Sequence, residues 1–244
     1  RPFSPNAFVI YPYLKTKKGI QFVEIDILKS NYPKAFSYLN HYKSKLDNPK
    51  RDIKPTPETT NEWYRFGRHQ SLDKCDVPAK IIVGVLAQGN KYAIDYYGTL
   101  ISSGGTAGYC MITLPDDFPY SIYYIQAILN SKYLEWFSAL IGEVFRGGYI
   151  ARGTKVLKKL PIRIIDFDNK KEKAIHGKIA SIQKKLIAIQ GKIDKNTGNN
   201  RKVIPLQRQF DSNKNELDQT LKTLYNLGED DKLIPLISEI YATN

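Results

Sequence analysis

The sequence of 244 residues has few residues of the kinds that build disulfide scaffolds or metal centres. It contains two cysteines and three histidines. Cys75 and Cys110 are too few for a disulfide framework, and their separation fits no zinc-ligand spacing. His41, His69 and His176 each stand alone, which is typical of polar or surface histidines. This usage predicts a protein of the reducing cytoplasm with no metal site.

Long apolar runs are also missing. No stretch of about 18 apolar residues occurs, so the sequence predicts no membrane-spanning helix and no membrane partner. Hydrophobic residues nevertheless make up 42% of the chain, which is enough to bury a core and argues against disorder. Arg1 is followed at once by a strand-like run without a signal peptide, so we expect a fragment of a longer, cytoplasmic chain.

The motifs of common catalytic sites are absent. The sequence has no glycine-rich cofactor loop after a strand, no Walker A motif, no Gly-x-Ser-x-Gly elbow and no His-Glu-x-x-His. Acidic-x-Lys triplets begin at Asp168 and Asp230, but such triplets arise by chance in a lysine-rich chain. We therefore predict a chain without catalytic residues and without a cofactor of its own.

Acidic residues are scarce relative to basic ones, and the net charge is +13. The excess is uneven: residues 1–150 carry 18 basic and 13 acidic residues, 151–202 carry 15 and 4, and 203–244 carry 4 and 7. A basic excess of this size predicts a polyanionic partner, and nucleic acid is the first candidate.

The first 165 residues predict a β-rich α+β domain with a central buried helix. Period-two runs predict two hairpins: strands FVIYPYL and QFVEIDIL around a turn at Lys17–Gly19, and strands KIIVGVLA and KYAIDYYG around Gln88–Asn90. A further strand is expected at GYCMITL. A helix is predicted over residues 33–47, opened by a proline. The apolar run over residues 120–142 predicts a single long buried helix.

Beyond residue 170 the pattern changes to a coiled-coil seam. In each of two runs, apolar residues recur at steps of three and four. A polar Gly/Asn loop separates the two runs, and Asn213 interrupts the second. They predict an antiparallel helical hairpin over residues 170–227 with a packing or spacer role, followed by a short helix over 228–244. The seam residues are Ile175, Ile179, Ile182, Leu186, Ile189 and Ile193, then Leu206, Phe210, Leu217, Leu221 and Leu224.

Three stretches combine cations, aromatic residues and glycines: residues 14–19, 62–72 and 143–162. Arg and Lys neutralise phosphates, Arg and Gln can bond base edges, and Gly lets the backbone approach a phosphate. For any one of these residues alone, a place on a solvated surface or in the core is the more common explanation. Taken together with the charge, they predict contact with double-stranded DNA by Lys15, Lys17, Lys18, Trp63, Tyr64, Arg65, Arg68, Gln70, Arg146, Tyr149, Arg152 and Lys155.

These stretches occur in an order that resembles a known family. The runs FVIYPYLKTKKGIQFVEIDIL, WYRFGRHQSL, KIIVGVLA, IQAILNSKYLEWF and FRGGYIARGTKVLKKLPI are similar, in that order, to the TaqI-like C-terminal specificity domain. That domain is the target-recognition part of type IIG restriction-modification enzymes and related adenine-specific DNA methyltransferases. The segment that follows resembles the helical spacers of type I specificity subunits.

The resemblance implies sequence-specific DNA recognition on behalf of a methyltransferase, with or without a fused nuclease. The family's catalytic half would bind S-adenosylmethionine and hold a flipped adenine with an Asn/Asp-Pro-Pro-Tyr/Phe motif. Here the only Asn-Pro pair, Asn48-Pro49, is followed by Lys50, so the chain resembles the recognition part alone. Base-contacting residues cannot be carried over, because they differ with the target. Two alternatives remain: a separate type I-like specificity subunit, and a basic adaptor that binds RNA or acidic protein without reading sequence.

Overall fold

The computed structural model describes residues 8–48, 60–66, 72–73, 77, 79–89, 92–101 and 108–228. Eight helices and three small antiparallel sheets lie in these ranges, which confirms the predicted α+β class. Within the same ranges, no helix has the length and hydropathy needed to cross a membrane. The short helix predicted over residues 228–244 lies, apart from its first residue, outside the described residues.

The N-terminal part is a hairpin followed by three short helices. Strands β1 (Tyr13–Thr16) and β2 (Gly19–Phe22) pair in the predicted hairpin. The second strand was predicted to continue through EIDIL, and this was wrong: the chain enters helix α1 (Ile25–Asn31) instead, with Leu28 buried against Val23 and Trp63. The predicted helix over 33–47 is confirmed, but it is divided into α2 (Pro33–His41) and α3 (Lys43–Leu46).

A three-stranded sheet forms the centre of the domain. Strand β3 (Lys80–Gly84) is buried along its whole length and lies between β5 (Tyr92–Asp95) and β6 (Tyr109–Ile112). The β3–β5 hairpin and the β6 strand confirm the sequence predictions. The fully buried ion pair between Lys80 Nζ and Asp95 Oδ2, at 2.9 Å, joins the first residue of β3 to the last residue of β5.

A second three-stranded sheet was not predicted. The run KIIVGVLA does not form one strand, because the chain leaves β3 at Val85 and continues as β4 (Leu86–Ala87) in another sheet. In that sheet β4 pairs with β8 (Tyr149–Ala151), and β8 pairs with β7 (Val144–Phe145). Residue 85 is therefore the point at which the two sheets are joined.

The prediction of a single long helix over residues 120–142 is wrong in one respect. The structure has two helices, α4 (Ile122–Leu129) and α5 (Lys132–Ile141), separated at Asn130 and Ser131. The Ser131 hydroxyl accepts a hydrogen bond from the Leu134 backbone N–H at 3.2 Å and so starts a new helix. Helix α4 is buried from Tyr124 to Leu129, as expected for a central helix.

The last described elements are α6 (Thr154–Leu157), α7 (Lys170–Lys195) and α8 (Asn200–Leu224). Helices α7 and α8 form the predicted antiparallel hairpin, and Lys178 pairs with Glu216 across it at 3.0 Å. The hairpin is part of the domain core, because its residues lie in one apolar cluster with α4 and β3. Its contributions to that cluster are Ile179, Ile182, Leu186, Leu217 and Leu221. The predicted domain boundaries between residues 165 and 170 stay a prediction.

Candidate nucleic-acid interface

The β7–β8 hairpin holds the Gly147-Gly148 pair in its turn. The Gly148 N–H donates to the Phe145 carbonyl at 3.1 Å, and both glycines have positive φ, +82° and +70°. A residue with a side chain rarely adopts this conformation, so the two glycines allow a three-residue turn with Arg146 exposed at its tip. The Gln88 side-chain amide donates to the Gly147 carbonyl and ties the turn to the end of β4.

The outer face of this sheet is apolar and exposed. Cross-strand partners project from the same face, and the register pairs Phe145 with Tyr149 and Leu86 with Ala151. Phe145 is 46% exposed and Tyr149 is 43% exposed, whereas Ile150, between Tyr149 and Ala151, is fully buried on the opposite face. The hairpin therefore presents two aromatic rings and one guanidinium group to solvent.

The base of the hairpin is anchored in the core. Arg152 is fully buried, and its Nη1 donates to the carbonyls of Ala87 at 2.5 Å and Ile150 at 3.2 Å. A side chain at Gly142 would lie 2.7 Å from Ile150 Cγ2, so the end of α5 packs directly on β8. This packing fixes the hairpin with respect to the domain.

The sequence prediction that Arg152 faces DNA does not fit this position. Arg152 lies two residues after Ile150, so its side chain points to the same inner face of the sheet. Both side chains are fully buried there, and a phosphate cannot reach the guanidinium group. Its charge acts instead on the buried Tyr92 hydroxyl. Burial raises the pKa of Tyr92 to about 12, and the Arg152 guanidinium acts in the opposite direction. We therefore assign Arg152 a structural role.

The tip of the β1–β2 hairpin carries three cations. Lys15 lies on β1, and Lys17 and Lys18 form the two-residue turn; all three side chains are exposed. The Thr16 hydroxyl donates to the Gly19 carbonyl at 2.9 Å and accepts from the Lys18 N–H at 3.2 Å, which closes the turn. The three lysines are thus exposed at one hairpin tip, and their contact with DNA stays a prediction.

Trp63 and Tyr64 lie buried at the base of that hairpin, and Arg65 beside them is partly exposed. Trp63 and Tyr64 are each only 4% exposed, and the Tyr64 hydroxyl donates to the Val23 carbonyl at 2.6 Å. Burial, followed by the nearby Glu62 carboxylate, raises the pKa of Tyr64 to about 12. The predicted DNA contacts of Trp63 and Tyr64 therefore do not fit their positions, because both rings fill the core between β2 and α1.

Arg65 is held at the same place by its neighbours. Its Nη1 lies 2.5 Å from Glu62 Oε2, and its guanidinium carbon is 5.5 Å from the centre of the Phe22 ring. The side chain is 31% exposed, so a part of it reaches solvent while its charge is already paired. Arg65 supports the β1–β2 hairpin in addition to any contact with a ligand.

The remaining predicted contacts divide in two groups. Lys155 lies in α6 with an exposed side chain, three residues after Arg152. Arg68 and Gln70 lie outside the described residues. Among the described residues the candidate interface thus includes two exposed hairpin tips with cations, and each tip extends from a base of buried aromatic or Arg side chains.

Sequence reasoning missed three residues of the β7–β8 surface: Leu86, Gln88 and Phe145. Phe145 had a signal, because strict alternation through the turn pairs it with Tyr149 on the face opposite Ile150. Leu86 and Gln88 had none, since Leu86 was expected to continue the strand that begins at β3 and Gln88 to lie in the turn that follows it. Across the described ranges, no group of three His, Cys, Asp or Glu side chains is arranged to hold a metal ion.

Comparison with known proteins identifies the family. The sequence profile of the TaqI-like C-terminal specificity domain matches residues 20–162. This range includes the whole β7–β8 hairpin but begins at the second residue of β2, after the lysines of the first hairpin tip. The type II restriction enzyme and methyltransferase RM.Eco57I of Escherichia coli is 50% identical over 237 residues. The alignment covers 97% of this chain and 24% of that protein, so the chain spans about a quarter of the relative's length. The chain belongs to the family of TaqI-like C-terminal specificity domains.

Proposed function

We propose that this chain is the DNA target-recognition domain of a restriction-modification adenine methyltransferase of type IIG. The observation that carries the proposal is the β7–β8 hairpin, which displays Phe145, Arg146 and Tyr149 on an anchored base within the segment that matches the family. A two-stranded ribbon fits the major groove of B-DNA, and Arg can bond guanine O6 and N7. The two rings supply apolar contact with thymine methyl groups or with exposed base faces.

The relative supports a fused arrangement over a separate specificity subunit. RM.Eco57I is named as both a restriction enzyme and a methyltransferase, and about three-quarters of that single chain lies outside the aligned part. In the proposal, methyl transfer and binding of S-adenosylmethionine belong to a part that corresponds to this unaligned region. The present chain contributes duplex DNA binding and the choice of target.

Selection from a pool of random duplexes tests this function. The chain is incubated with the pool, bound duplexes are recovered and sequenced over several rounds, and one adenine-containing sequence is expected to be enriched. Binding to the enriched duplex should exceed binding to random duplex by at least about 10³ at matched salt. Binding without enrichment, or equal binding to duplex RNA, would favour the non-specific adaptor instead.

A second measurement separates recognition from chemistry. The chain is incubated with the enriched duplex and labelled S-adenosylmethionine, and we expect no label on the DNA. Transfer of label by the pure chain would contradict the proposed division of roles.

A further inference from the structure

Helix α7 carries far more positive charge than its partner in the hairpin. Its residues include eight lysines and two acidic residues, whereas α8 has five basic and three acidic residues. The segment that matches the family ends at residue 162, before α7 begins. The charge of α7 is therefore a feature of this chain that the family match leaves without a role.

Four lysines of α7 recur at every seventh position and form a row, the lysine row: Lys171, Lys178, Lys185 and Lys192. All four are exposed. Seven residues correspond to about 10 Å along a helix, so the row is about 30 Å long. The exposed residues Ala174, Ser181 and Ala188 are small and lie between successive members of the row. No bulky side chain on this face therefore separates the lysines from an approaching surface.

A second set of lysines borders the same exposed face. Lys173, Lys184 and Lys195 recur at every eleventh position, and all are exposed. An eleven-residue step is close to three helical turns, so these lysines also stay on one side of the helix. The solvent face of α7 is thus positive along both edges.

The acidic residues of α7 do not balance these lysines. Glu172 accepts hydrogen bonds from the Asp166 N–H at 2.8 Å and from Arg163 at 3.4 Å, and Asp194 accepts from Gln190 at 3.0 Å. A helix that serves only as a solvated spacer normally alternates charges of opposite sign along its exposed face. Within the described residues, Lys178 is the one member of the lysine row that has a carboxylate partner, Glu216.

We propose that the lysine row binds the phosphate backbone of duplex DNA, next to the site read by the domain. A length of about 30 Å approaches one turn of B-DNA, about 34 Å. Lysines bind phosphates as point charges and carry no base information, so this contact would position DNA without selecting its sequence. The inference rests on the proposed function and extends it, because α7 becomes a second DNA-binding surface in addition to its part in the core.

The test replaces three lysines of the row and keeps the one that is paired with Glu216. The variant combines Lys171→Gln, Lys185→Gln and Lys192→Gln, and its affinity is measured over a salt series for the enriched duplex and for a random duplex. Each lost phosphate contact reduces the log–log salt slope by about 0.9, so we expect a slope less negative by about 2 to 3. Affinity at low salt should fall at least about tenfold, by the same factor for both duplexes.

Two control variants fix the interpretation. The variant with Arg201→Gln, Lys202→Gln and Arg208→Gln removes the same charge from α8, and its slope should change by less than half as much. The variant with Lys171→Arg, Lys185→Arg and Lys192→Arg keeps the charge and should bind as the parent does. An equal loss in the α8 variant would overturn the proposal, because it would indicate attraction by net charge alone.

The remaining outcomes separate this inference from the proposed function. If the parent chain binds no duplex at low salt, the proposed function and the lysine row both fail. If the parent binds and selects DNA but the α7 variant keeps the parental slope, only the lysine row fails. If the α7 variant no longer binds duplex RNA but binds duplex DNA as the parent does, the lysine row binds RNA and the proposal is overturned.

Discussion

The stretch Trp63–Arg65 and the stretch Arg146–Tyr149 have the same types of residue but opposite positions in the molecule. Each combines an arginine with aromatic side chains close to a hairpin. In the first stretch the rings are only 4% exposed and support the base of β1–β2, whereas Tyr149 is 43% exposed beside the tip of β7–β8. A composition of cations and aromatics therefore does not distinguish a DNA-binding surface from the support on which such a surface stands.

The largest expected effect concerns the buried stretch. Trp63→Ala should lower the free energy of unfolding by about 3 to 5 kcal/mol, because it empties a large volume in the cluster with Val23, Leu28 and Tyr64. Urea unfolding measures the change. If Trp63 stacks on DNA instead, the variant should unfold like the parent and lose duplex affinity.

Arg152 and Arg146 show the same contrast within a single hairpin, because Arg152 is buried and Arg146 is exposed. Arg152→Gln should lower the free energy of unfolding by about 2 to 4 kcal/mol, because it leaves the Ala87 and Ile150 carbonyls without their buried donor. Arg146→Gln is the matched control and should change stability by less than about 0.5 kcal/mol, because Arg146 is exposed. Equal stability of the two variants would contradict the buried assignment of Arg152.

The exposed stretch should show the reverse pattern. Arg146→Gln and Phe145→Ala should each reduce affinity for the enriched duplex by about tenfold or more, the range for one good base contact. Stability should stay close to that of the parent, since both side chains reach solvent. A mobility-shift titration at fixed salt measures the affinity. Parental affinity in both variants would remove the β7–β8 tip from the interface and leave Lys15, Lys17 and Lys18 as candidates.

Much of the fold could be predicted because the spacing of apolar residues along the sequence shows which side of a helix or strand is buried. The α7–α8 seam was recovered because the inward residues repeat at helical spacing, and Leu217 and Leu221 are indeed buried. The break at Asn130 was missed because apolar residues on all sides of a run conceal where one helix stops. The Ser131 cap that marks the break was present in the sequence but is a weaker signal than the apolar run.

The site was harder to predict than the fold. Whether a side chain can contact DNA depends more on the direction in which it points than on its residue type. Arg152 follows Ile150 by two positions, and period-two alternation would have placed both on the inner face. Trp63 and Tyr64 offered no such signal, because the residues around them do not form a regular strand or a long helix. Their burial is set by β2 and α1, which are distant in sequence.

The smallest expected effect extends the comparison to a polar group that is partly buried. His176 on α7 lies among the rings of Tyr120, Tyr124 and Phe167, and its Nε2 accepts a hydrogen bond from the Ser121 N–H at 3.1 Å. An imidazole that accepts this bond is neutral, and burial lowers the pKa of His176 below its ordinary value of 6.5. The unfolded chain therefore binds a proton more readily than the folded chain does.

It follows that His176 makes no pH-dependent contribution to stability well above pH 6.5, and that stability falls as the pH drops from about 7 toward the lowered pKa. In His176→Gln, the amide oxygen can still accept from Ser121 but does not titrate. Melting temperatures measured between about pH 7.5 and 5.5 should decline more steeply for the parent than for this variant. Parallel declines in the parent and in His176→Gln would contradict this, because they would show that His176 binds its proton equally well in the folded and the unfolded chain.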